Sequence, residues 1–293
     1  MDLRKIEEIK KTALIALISD DYLMETLVLK GGNAIDLIHK ISARASWDLD
    51  FSMENEFNKS NLAKISEKIK NNLVNGFEEK NYNVFDIIFS EKPKNTKQGA
   101  TDLWGGYLIE FKIIDHNKFI AFQGDLNAIR RNAEVIANKQ IRTFRIEISK
   151  NEYCRPKIMK DIDNYAIHVY STEMLVIEKL RAICQQMPQY LKIVTTHKPR
   201  PRAKDFFDIY ILMENFDINL AITESKELLK EVFKIKKVPL SLLAKIKNYR
   251  SYHGQDFDSV RDSVLNVHEL KDFDYYFDFV INEVNKLKTL WIE

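Results

Sequence analysis

Apolar and polar positions alternate with two different periods near the start of the chain. Residues 3–19 carry apolar side chains at helical spacing with charges between them, which predicts an opening amphipathic helix. The apolar run 27–30 predicts a short strand, and it is followed by Gly31-Gly32 and by a helical pattern at 33–41. The chain is therefore expected to begin with a helix, a strand, a diglycine turn and a second helix.

A period of two appears at residues 47–53, WDLDFSM, and predicts another strand. Its side chains divide between two faces, with Trp47, Leu49 and Phe51 on one and Asp48, Asp50 and Ser52 on the other. This division is typical of a strand that packs one side on a core. The second face then presents two carboxylates.

Helices and strands are mixed up to about residue 171, and only helical patterns follow. The first part contains a predicted helix at 60–75 and predicted strands at 82–90, 107–114 and 143–149. The second part contains predicted helices at 171–186, 204–215, 224–234 and 272–287. We therefore expect an α/β (α+β) fold, in which a domain at 1–171 with a mixed sheet flanked by helices precedes a helical domain at 172–293.

Composition and charge fit a folded protein of two modest domains. The 293 residues are 45% hydrophobic and 30% charged, which is too apolar for a disordered chain. Lys and Arg number 45 against 43 Asp and Glu, for a formal charge of +2. This balance argues against a uniformly basic nucleic-acid coat but leaves room for a local basic groove.

Targeting signals, zinc-binding motifs and disulfide patterns are missing from the sequence. The two cysteines, Cys154 and Cys184, are too few for a disulfide framework or a four-ligand zinc site. His168 and His197 have no metal-ligand spacing. The first residues lack the apolar core of a signal peptide, and no apolar run approaches the ~18 residues of a membrane span. We therefore expect a cytoplasmic protein without a membrane partner.

The diglycine turn and the acidic strand predict a phosphate and metal site. A diglycine between a strand and a helix lets backbone N–H groups approach an anion at the positive end of the helix. Asp48 and Asp50 project from one face of a strand, roughly 6–7 Å apart. Such a pair suits Mg²⁺, which takes oxygen ligands and binds substrate phosphates. Taken alone, the pair is equally consistent with an ordinary polar strand face.

Four motifs occur in an order that makes a chance match implausible. They are Gly31-Gly32-Asn33, the segment RASWDLDF at 44–51, Glu178-Lys179-Leu180-Arg181-Ala182 and Lys204-Asp205-Phe206-Phe207-Asp208. Together they resemble the AbiEii/AbiGii family of toxin-type nucleotidyltransferases, in the DNA-polymerase-β-like nucleotidyltransferase superfamily. Members of this family have a diglycine turn, an R-x-S-x-D-h-D strand in which h is apolar, an E-K-x-x-A helix and a K/R-D-x-x-D helix.

The resemblance implies a role for each motif residue. Catalysis is expected from Asp48, Asp50, Glu147, Lys179 and Asp205. Nucleotide binding is expected from Gly31, Gly32, Asn33, Ser46 and Lys179, and metal binding from Asp48, Asp50 and Glu147. The implied cofactor is Mg²⁺, as two ions, with a nucleoside triphosphate as substrate. The chain departs from the family at Asn33, where relatives commonly have Thr or Ser.

The third carboxylate of the metal site has two candidates. Glu147 stands in the last apolar strand, where relatives tend to have Asp, and Glu110 stands in the strand before it. A two-metal reaction needs such a group near the attacking hydroxyl. Glu147 is preferred here, and Glu110 remains the alternative.

Several motif residues also have an ordinary structural interpretation. Asp205 and Asp208 share a helix face and could be surface acids bonded to Lys204, Arg202 or Lys179. Arg44 could face a phosphate or pair with an acid. The hydroxyl of Ser46 could bind the triphosphate or stabilise the loop before the strand.

Basic residues are concentrated in the helical half and suggest an acceptor. Residues 192–204 contain five basic residues and no acid, and residues 226–250 contain eight basic residues and two acids. These surfaces could contact RNA phosphates. The resemblance implies transfer to the 3′ end of tRNA by a type IV toxin with a cognate antitoxin. Two alternatives are a nucleotidyltransferase that acts on a protein or small molecule, and a nucleotide-binding or RNA-binding regulatory module without turnover.

Overall fold

A seven-stranded mixed sheet forms the centre of the protein. The computed structural model describes residues 3–41, 44–93, 104–136, 140–195, 197–264 and 266–292. The strands are β1 (Val28–Lys30), β2 (Leu49–Ser52), β3 (Tyr82–Lys92), β4 (Gly106–Asp115), β5 (Phe144–Ser149), β6 (Lys157–Ile162) and β7 (Tyr165–Tyr170). Their order across the sheet is β3-β4-β5-β2-β1-β7-β6. The β2–β5 and β1–β7 pairs are parallel, and the other pairs are antiparallel.

Helices precede, interrupt and follow the sheet. They are α1 (Leu3–Ile18), α2 (Asp21–Thr26), α3 (Gly31–Asn33), α4 (Leu62–Glu78), α5 (His116–Ala121), α6 (Leu126–Arg131), α7 (Thr172–Cys184), α8 (Pro188–Leu191), α9 (Ala203–Asn215), α10 (Thr223–Ile235), α11 (Arg250–Gly254), α12 (Phe257–Arg261) and α13 (Phe273–Asn285). A π-helical turn spans Ala34–Ile38, and the longest 3-10 segment spans Leu240–Tyr249. The α/β class expected from the sequence is confirmed.

Amphipathic patterns place the helices as the sequence predicts. In α4, the residues at four-residue spacing, Ile65, Ile69, Leu73 and Phe77, are all buried. Helix α7 begins where the Ser171 hydroxyl accepts a hydrogen bond from the Met174 N–H at 3.2 Å. One cluster of buried apolar side chains continues from the sheet into α7, α9, α10 and α13. None of the described helices combines the length and the apolar character that a membrane crossing needs.

The strand predicted at 47–53 forms over Leu49–Ser52 only, and Ser52, expected on the polar face, is fully buried. Leu49 and Phe51 are fully buried, whereas Asp50 is half-buried. The helix predicted at 33–41 is shorter than expected, because it continues α3 as the π-helical turn and stops at Ile38. Lys40 then adopts a left-handed backbone with a φ of 56°, which cannot continue a right-handed helix.

The β6–β7 hairpin is an element that the sequence patterns did not indicate. Strand β7 pairs with β1 as the second strand from one edge of the sheet, with Leu29 opposite Val169. Strand β6 covers its other side as an edge strand and leaves Met159 58% exposed. Strand β6 is mostly exposed and β7 ends in four consecutive buried residues, so neither strand has the alternation of period two that would have predicted it.

The second glycine pair has a structural explanation. Gly105 has a φ of 142°. The next residue, Gly106, begins β4 and lies opposite Ser149 of β5. A Cβ atom at Gly106 would lie 1.8 Å from the carbonyl oxygen of Ile148. Only glycine therefore allows β4 to approach β5 at this point.

Candidate active site

Three neighbouring strands bring charged side chains to one face of the sheet. Lys30 on β1 lies opposite Asp50 on β2, and Asp50 lies opposite Glu147 on β5. Opposite residues of paired strands project to the same side. Asp48 precedes Asp50 by two residues and stands just before β2. Asp48, Asp50 and Glu147 are therefore grouped at the middle of the sheet.

The diglycine turn lies directly against this acidic face. Gly31 has a φ of 71°, and a Cβ atom there would lie 2.7 Å from Asp50 Oδ2. A Cβ atom at Gly32 would lie 2.8 Å from both Cβ and Oγ of Ser46. Side chains at these positions would collide with Asp50 and Ser46. The two glycines thus bring the backbone, the carboxylate and the hydroxyl to one place.

Asn33 lies at the same turn, but its side chain points into the protein. Its Nδ2 group donates a hydrogen bond to the Asp48 carbonyl oxygen at 2.7 Å, and its Oδ1 accepts one from Lys10 Nζ at 2.9 Å. Lys10 Nζ also donates to Asp36 at 2.9 Å. Asn33 has no exposed surface. Its amide therefore holds the backbone at Asp48 in position.

The carboxylates of the strand repel one another. Burial raises the pKa of Asp50 to about 7, with Lys30 lowering it and Glu147 and Asp48 raising it further. Loss of solvent raises the pKa of Asp48, and the nearby Glu147 adds to that effect. Both acids thus resist ionisation at this face of the sheet. A bound cation would relieve this repulsion.

The two candidates for the third carboxylate lie on the same face at different distances from β2. Glu147 is on the strand next to β2, and its carboxylate accepts a hydrogen bond from Lys92 Nζ at 3.2 Å. Glu110 is one strand further away, on β4, and accepts from Arg145 Nε at 3.1 Å. The geometry therefore places Glu147 beside Asp50 and separates Glu110 from it.

The later motifs meet in a buried cluster of four charges. Lys179 on α7 donates to Asp208 Oδ2 at 2.6 Å and to Asp205 Oδ1 at 3.2 Å, both on α9. Arg44 donates to both oxygens of Asp208, at 2.7 and 2.6 Å. Burial acts to raise the pKa of Asp208, but Arg44 and Lys179 hold it well below its ordinary value. The four charges balance one another.

The loop before β2 connects this cluster to the diglycine turn. The Ala45 N–H donates a hydrogen bond to the Ser263 carbonyl oxygen at 2.8 Å, and Arg44 forms an isolated bridge with Val264. Ser46 is therefore held between Gly32 and the helical part of the chain. Residues from both sides of position 171 contribute to one site.

Two further charged residues lie at this site that sequence reasoning did not assign. Lys30 Nζ donates to Glu178 Oε1 at 2.8 Å, and both side chains are largely buried. Glu178 stands in the E-K-x-x-A motif, next to Lys179. The sequence signal for Lys30 is a lysine at the end of an apolar strand, but this pattern does not identify the residue with which it pairs.

The donor atoms of this face suit an oxygen-preferring cation. Asp48, Asp50 and Glu147 offer carboxylate oxygens, which Mg²⁺ prefers. Among the residues that the structure describes, no three acidic, histidine or cysteine side chains already form a cluster able to hold one metal ion. Glu147 is paired with Lys92 instead. The donor types fit the cation, and Glu147 is the member whose carboxylate forms an ion pair with a lysine, Lys92.

Two solved structures resemble the whole chain. A provisionally assigned nucleotidyltransferase from H. pylori is 18% identical and has a TM-score of 0.52, with 98% of this chain and 95% of that chain covered. JHP933 from Helicobacter pylori is 17% identical and has a TM-score of 0.48, with 98% and 92% covered. The first similarity establishes a shared fold. No curated protein matches the sequence significantly.

The family model of the nucleotidyl transferase AbiEii toxin, of type IV toxin–antitoxin systems, matches residues 12–278. This range includes the diglycine turn, the acidic strand and the helices that carry Lys179 and Asp205. Because the match covers most of the chain, the protein belongs to the AbiEii family of nucleotidyltransferase toxins of type IV toxin–antitoxin systems.

Proposed function

We propose that this protein is a Mg²⁺-dependent enzyme that transfers a nucleotide from a nucleoside triphosphate to an acceptor hydroxyl. The observation that carries the proposal is the contact of the diglycine turn with the acidic strand. A Cβ atom at Gly31 would collide with Asp50 and one at Gly32 with Ser46, so a phosphate cradle and a metal-binding carboxylate share one location. An ordinary polar strand face needs no glycine at either position.

The triphosphate is held by backbone and side-chain donors. The N–H groups at Gly31 and Gly32 and the Ser46 hydroxyl face the phosphates. Lys179 contributes a compact positive charge from the helical domain that begins at residue 172. The Asn33 side chain supports this turn through its bond to the Asp48 carbonyl, and its backbone N–H would join the cradle.

Asp48, Asp50 and Glu147 would hold two Mg²⁺ ions. The ions would supply positive charge to the triphosphate and make the acceptor hydroxyl more acidic. Glu147 exchanges its bond with Lys92 for this role, and its side chain is 47% exposed and so has room to turn. Asp50 stays under the diglycine turn.

The reaction is a displacement at the α-phosphorus. The acceptor oxygen forms a new bond to phosphorus as the bond to the β-phosphate oxygen breaks, and pyrophosphate leaves. The hydroxyl proton passes to a carboxylate, for which Glu147 and Asp205 are the candidates. Asp205 uses Oδ1 to bond Lys179, while its Oδ2 makes an ion pair with Arg202 at 3.4 Å.

The acceptor is proposed to be RNA, at the 3′ end of tRNA. Lys192, Lys198 and Arg200 are exposed on the segment that follows α8. The Trp104 ring stacks on His197 with 5.4 Å between centroids, which places this segment beside the start of β4. Strand β4 pairs with β5, the strand of Glu147. Basic side chains near the carboxylates suit a phosphate backbone. A cognate antitoxin is the proposed partner that restrains this activity.

A labelled transfer assay tests the proposal. The protein is incubated with each of the four α-³²P-labelled NTPs, in Mg²⁺ or in EDTA, with total RNA or with a protein extract. We expect labelled tRNA in the reactions that contain Mg²⁺ and none in those that contain EDTA. Label in protein instead would reassign the acceptor, and nucleotide binding without pyrophosphate release would show a regulatory module. The Asp48→Ala variant serves as the inactive control.

A further inference from the structure

A line of five alternating charges runs through the core beneath the proposed site. Its members are Lys30, Glu178, Arg181, Glu152 and Lys236. Successive pairs are 2.8, 3.4, 2.9 and 3.1 Å apart. The side chains are between 2% and 15% exposed. The mechanism above uses none of these residues.

This line joins α7 to the sheet at two points. Glu178 of α7 contacts Lys30, the last residue of β1. Arg181 of α7 contacts Glu152, whose own N–H donates to the Met53 carbonyl oxygen just beyond β2. The strands reached in this way are those that flank the diglycine turn and carry Asp50. Apart from these residues and Lys179, which pairs with Asp205 and Asp208, the buried side chains of α7 are apolar, among them Leu175, Val176, Ile177, Leu180 and Ile183.

An apolar helix face alone defines its position poorly. Sliding α7 by one residue would move its side chains by about 1.5 Å and turn them by about 100°. Apolar contacts are non-directional and tolerate such repacking. Buried ion pairs add little net stability, and their best-established use is to select one register. Lys179 is adjacent to Glu178, so any change in register moves its ammonium group.

The geometry points to Lys30 and Glu178 as positioning residues, whose ion pair sets the register of α7 so that Lys179 reaches the phosphate cradle. The inference rests on the proposed function, because it is in nucleotidyl transfer that Lys179 acts. Lys179 leaves α7 on the side of Asp205 and Asp208, while Glu178 faces β1. The helix is thus held from the sheet while it presents Lys179 to α9.

A direct contact of Lys30 with the triphosphate makes a different prediction. In that case the loss of Lys30 would weaken nucleotide binding, and the loss of Glu178 would matter less. If the pair acts as a unit, Lys30→Met and Glu178→Met lower kcat by similar factors, and the double variant loses no more than the worse single variant.

The experiment compares four variants, which are Lys30→Met, Glu178→Met, their combination and Lys30→Arg. The measurements are Tm, kcat and the KM for the nucleotide. Each single variant lowers Tm, since it leaves one buried charge unpaired, and the double variant recovers most of that loss. We expect kcat of the double variant to fall roughly 10- to 100-fold with little change in KM, as expected for a misplaced group. Lys30→Arg keeps the charge and most of kcat.

A matched control uses another long-range ion pair. Lys5→Met with Glu134→Met removes a pair with 2.8 Å separation that joins α1 to the segment after α6, away from α7. This control should keep the wild-type kcat. A folded Lys30→Met/Glu178→Met variant with wild-type kcat would overturn the inference. So would a Lys30→Arg variant as slow as Lys30→Met, which is informative even if the double variant does not fold.

Amide hydrogen exchange separates this inference from the proposed function. Opening of residues 172–184 should become more frequent in Lys30→Met/Glu178→Met, while α9 and α4 exchange as in the wild type. Unchanged exchange of α7 would contradict the positioning role whatever the activity. A wild-type protein that transfers no nucleotide would instead refute the proposed function. The exchange result would then still test whether the ion pair holds α7 in place.

Discussion

Two pairs of aspartates in this protein have opposite electrostatic surroundings. Asp48 and Asp50 belong to the strand side of the site, where burial and the neighbouring Glu147 raise the pKa of both. Asp208, paired with Asp205 on α9, has Arg44 and Lys179 against it, and they lower its pKa despite burial. The strand pair therefore has too little positive charge nearby to offset burial and mutual repulsion, whereas the helix pair is neutralised inside the protein.

This difference in electrostatic surroundings indicates different roles for two similar motifs. Unbalanced carboxylates at an accessible site favour a cation. Carboxylates that are bonded to buried cations stabilise the fold and hold those cations in place. The D-x-D strand is thus the proposed metal site, and the D-x-x-D helix holds Lys179 and Arg44.

The largest expected effect is the loss of activity on removing the strand acids. Asp48→Ala or Asp50→Ala should lower nucleotide transfer on the order of 10³-fold, because several kcal/mol of charge stabilisation is lost. Glu147→Gln should follow them, while Glu110→Gln should retain activity. Steady-state pyrophosphate release measures all four variants. Full activity in Glu147→Gln together with loss in Glu110→Gln would reverse the assignment of the third carboxylate.

Removing Asp208 should damage stability more than removing Asp205. Asp208→Asn leaves Arg44 and Lys179 without their main partner in a buried site and should cost about 3–5 kcal/mol of unfolding free energy. Asp205→Asn leaves the shorter Lys179–Asp208 bond intact and should cost about 1 kcal/mol. Urea unfolding gives both values. Equal costs would show that the two helix acids do not differ in this way.

The pH dependence of stability should separate the strand acid from the helix acid. The folded pKa of Asp50 is raised to about 7, so its contribution to stability is complete below its ordinary pKa and is lost as pH rises toward 7. Asp50→Asn removes this loss, and its unfolding free energy should gain on the wild type between pH 4 and 7. Asp208 has a lowered pKa and contributes above its ordinary pKa. Metal-free denaturant titrations test this, and a constant difference between Asp50→Asn and wild type would contradict it.

The smallest expected effect concerns the basic segment after α8. Lys198→Ala/Arg200→Ala should raise the KM for the RNA acceptor a few-fold to about tenfold at physiological salt and reduce the salt dependence of RNA binding. The KM for the nucleotide should stay unchanged. Lys118→Ala/Lys157→Ala, which removes an exposed lysine of α5 and a half-exposed lysine at the start of β6, is the control. An equal effect of both variants would indicate a non-specific charge effect.

Local patterns predicted the parts of the site that lie on single elements. The period of two located the strand that carries Asp50, with Asp48 just before its first residue. The diglycine marked a close backbone approach that the structure shows at Asp50 and Ser46. Helical spacing located Lys179 and Asp205 on α7 and α9. In each case the information lies within a few residues.

The partners of these residues could not be predicted from the same patterns. Lys30 and Glu178 are 148 residues apart, and Arg44 and Asp208 are 164 residues apart. Such pairs depend on how β1, α7 and α9 pack, which a single sequence does not specify. The side-chain direction of Asn33 was missed for the same reason, since its bond to Lys10 requires the packing of α1 against the turn.

Cation binding by titration calorimetry tests most directly whether the strand pair, and not the helix pair, forms the metal site. Mn²⁺ is titrated into the wild type, Asp50→Asn and Asp205→Asn, each with a non-hydrolysable NTP present. Wild type and Asp205→Asn should bind Mn²⁺ with similar affinity, and Asp50→Asn should show little binding. Wild-type affinity in Asp50→Asn, or its loss in Asp205→Asn alone, would contradict the account.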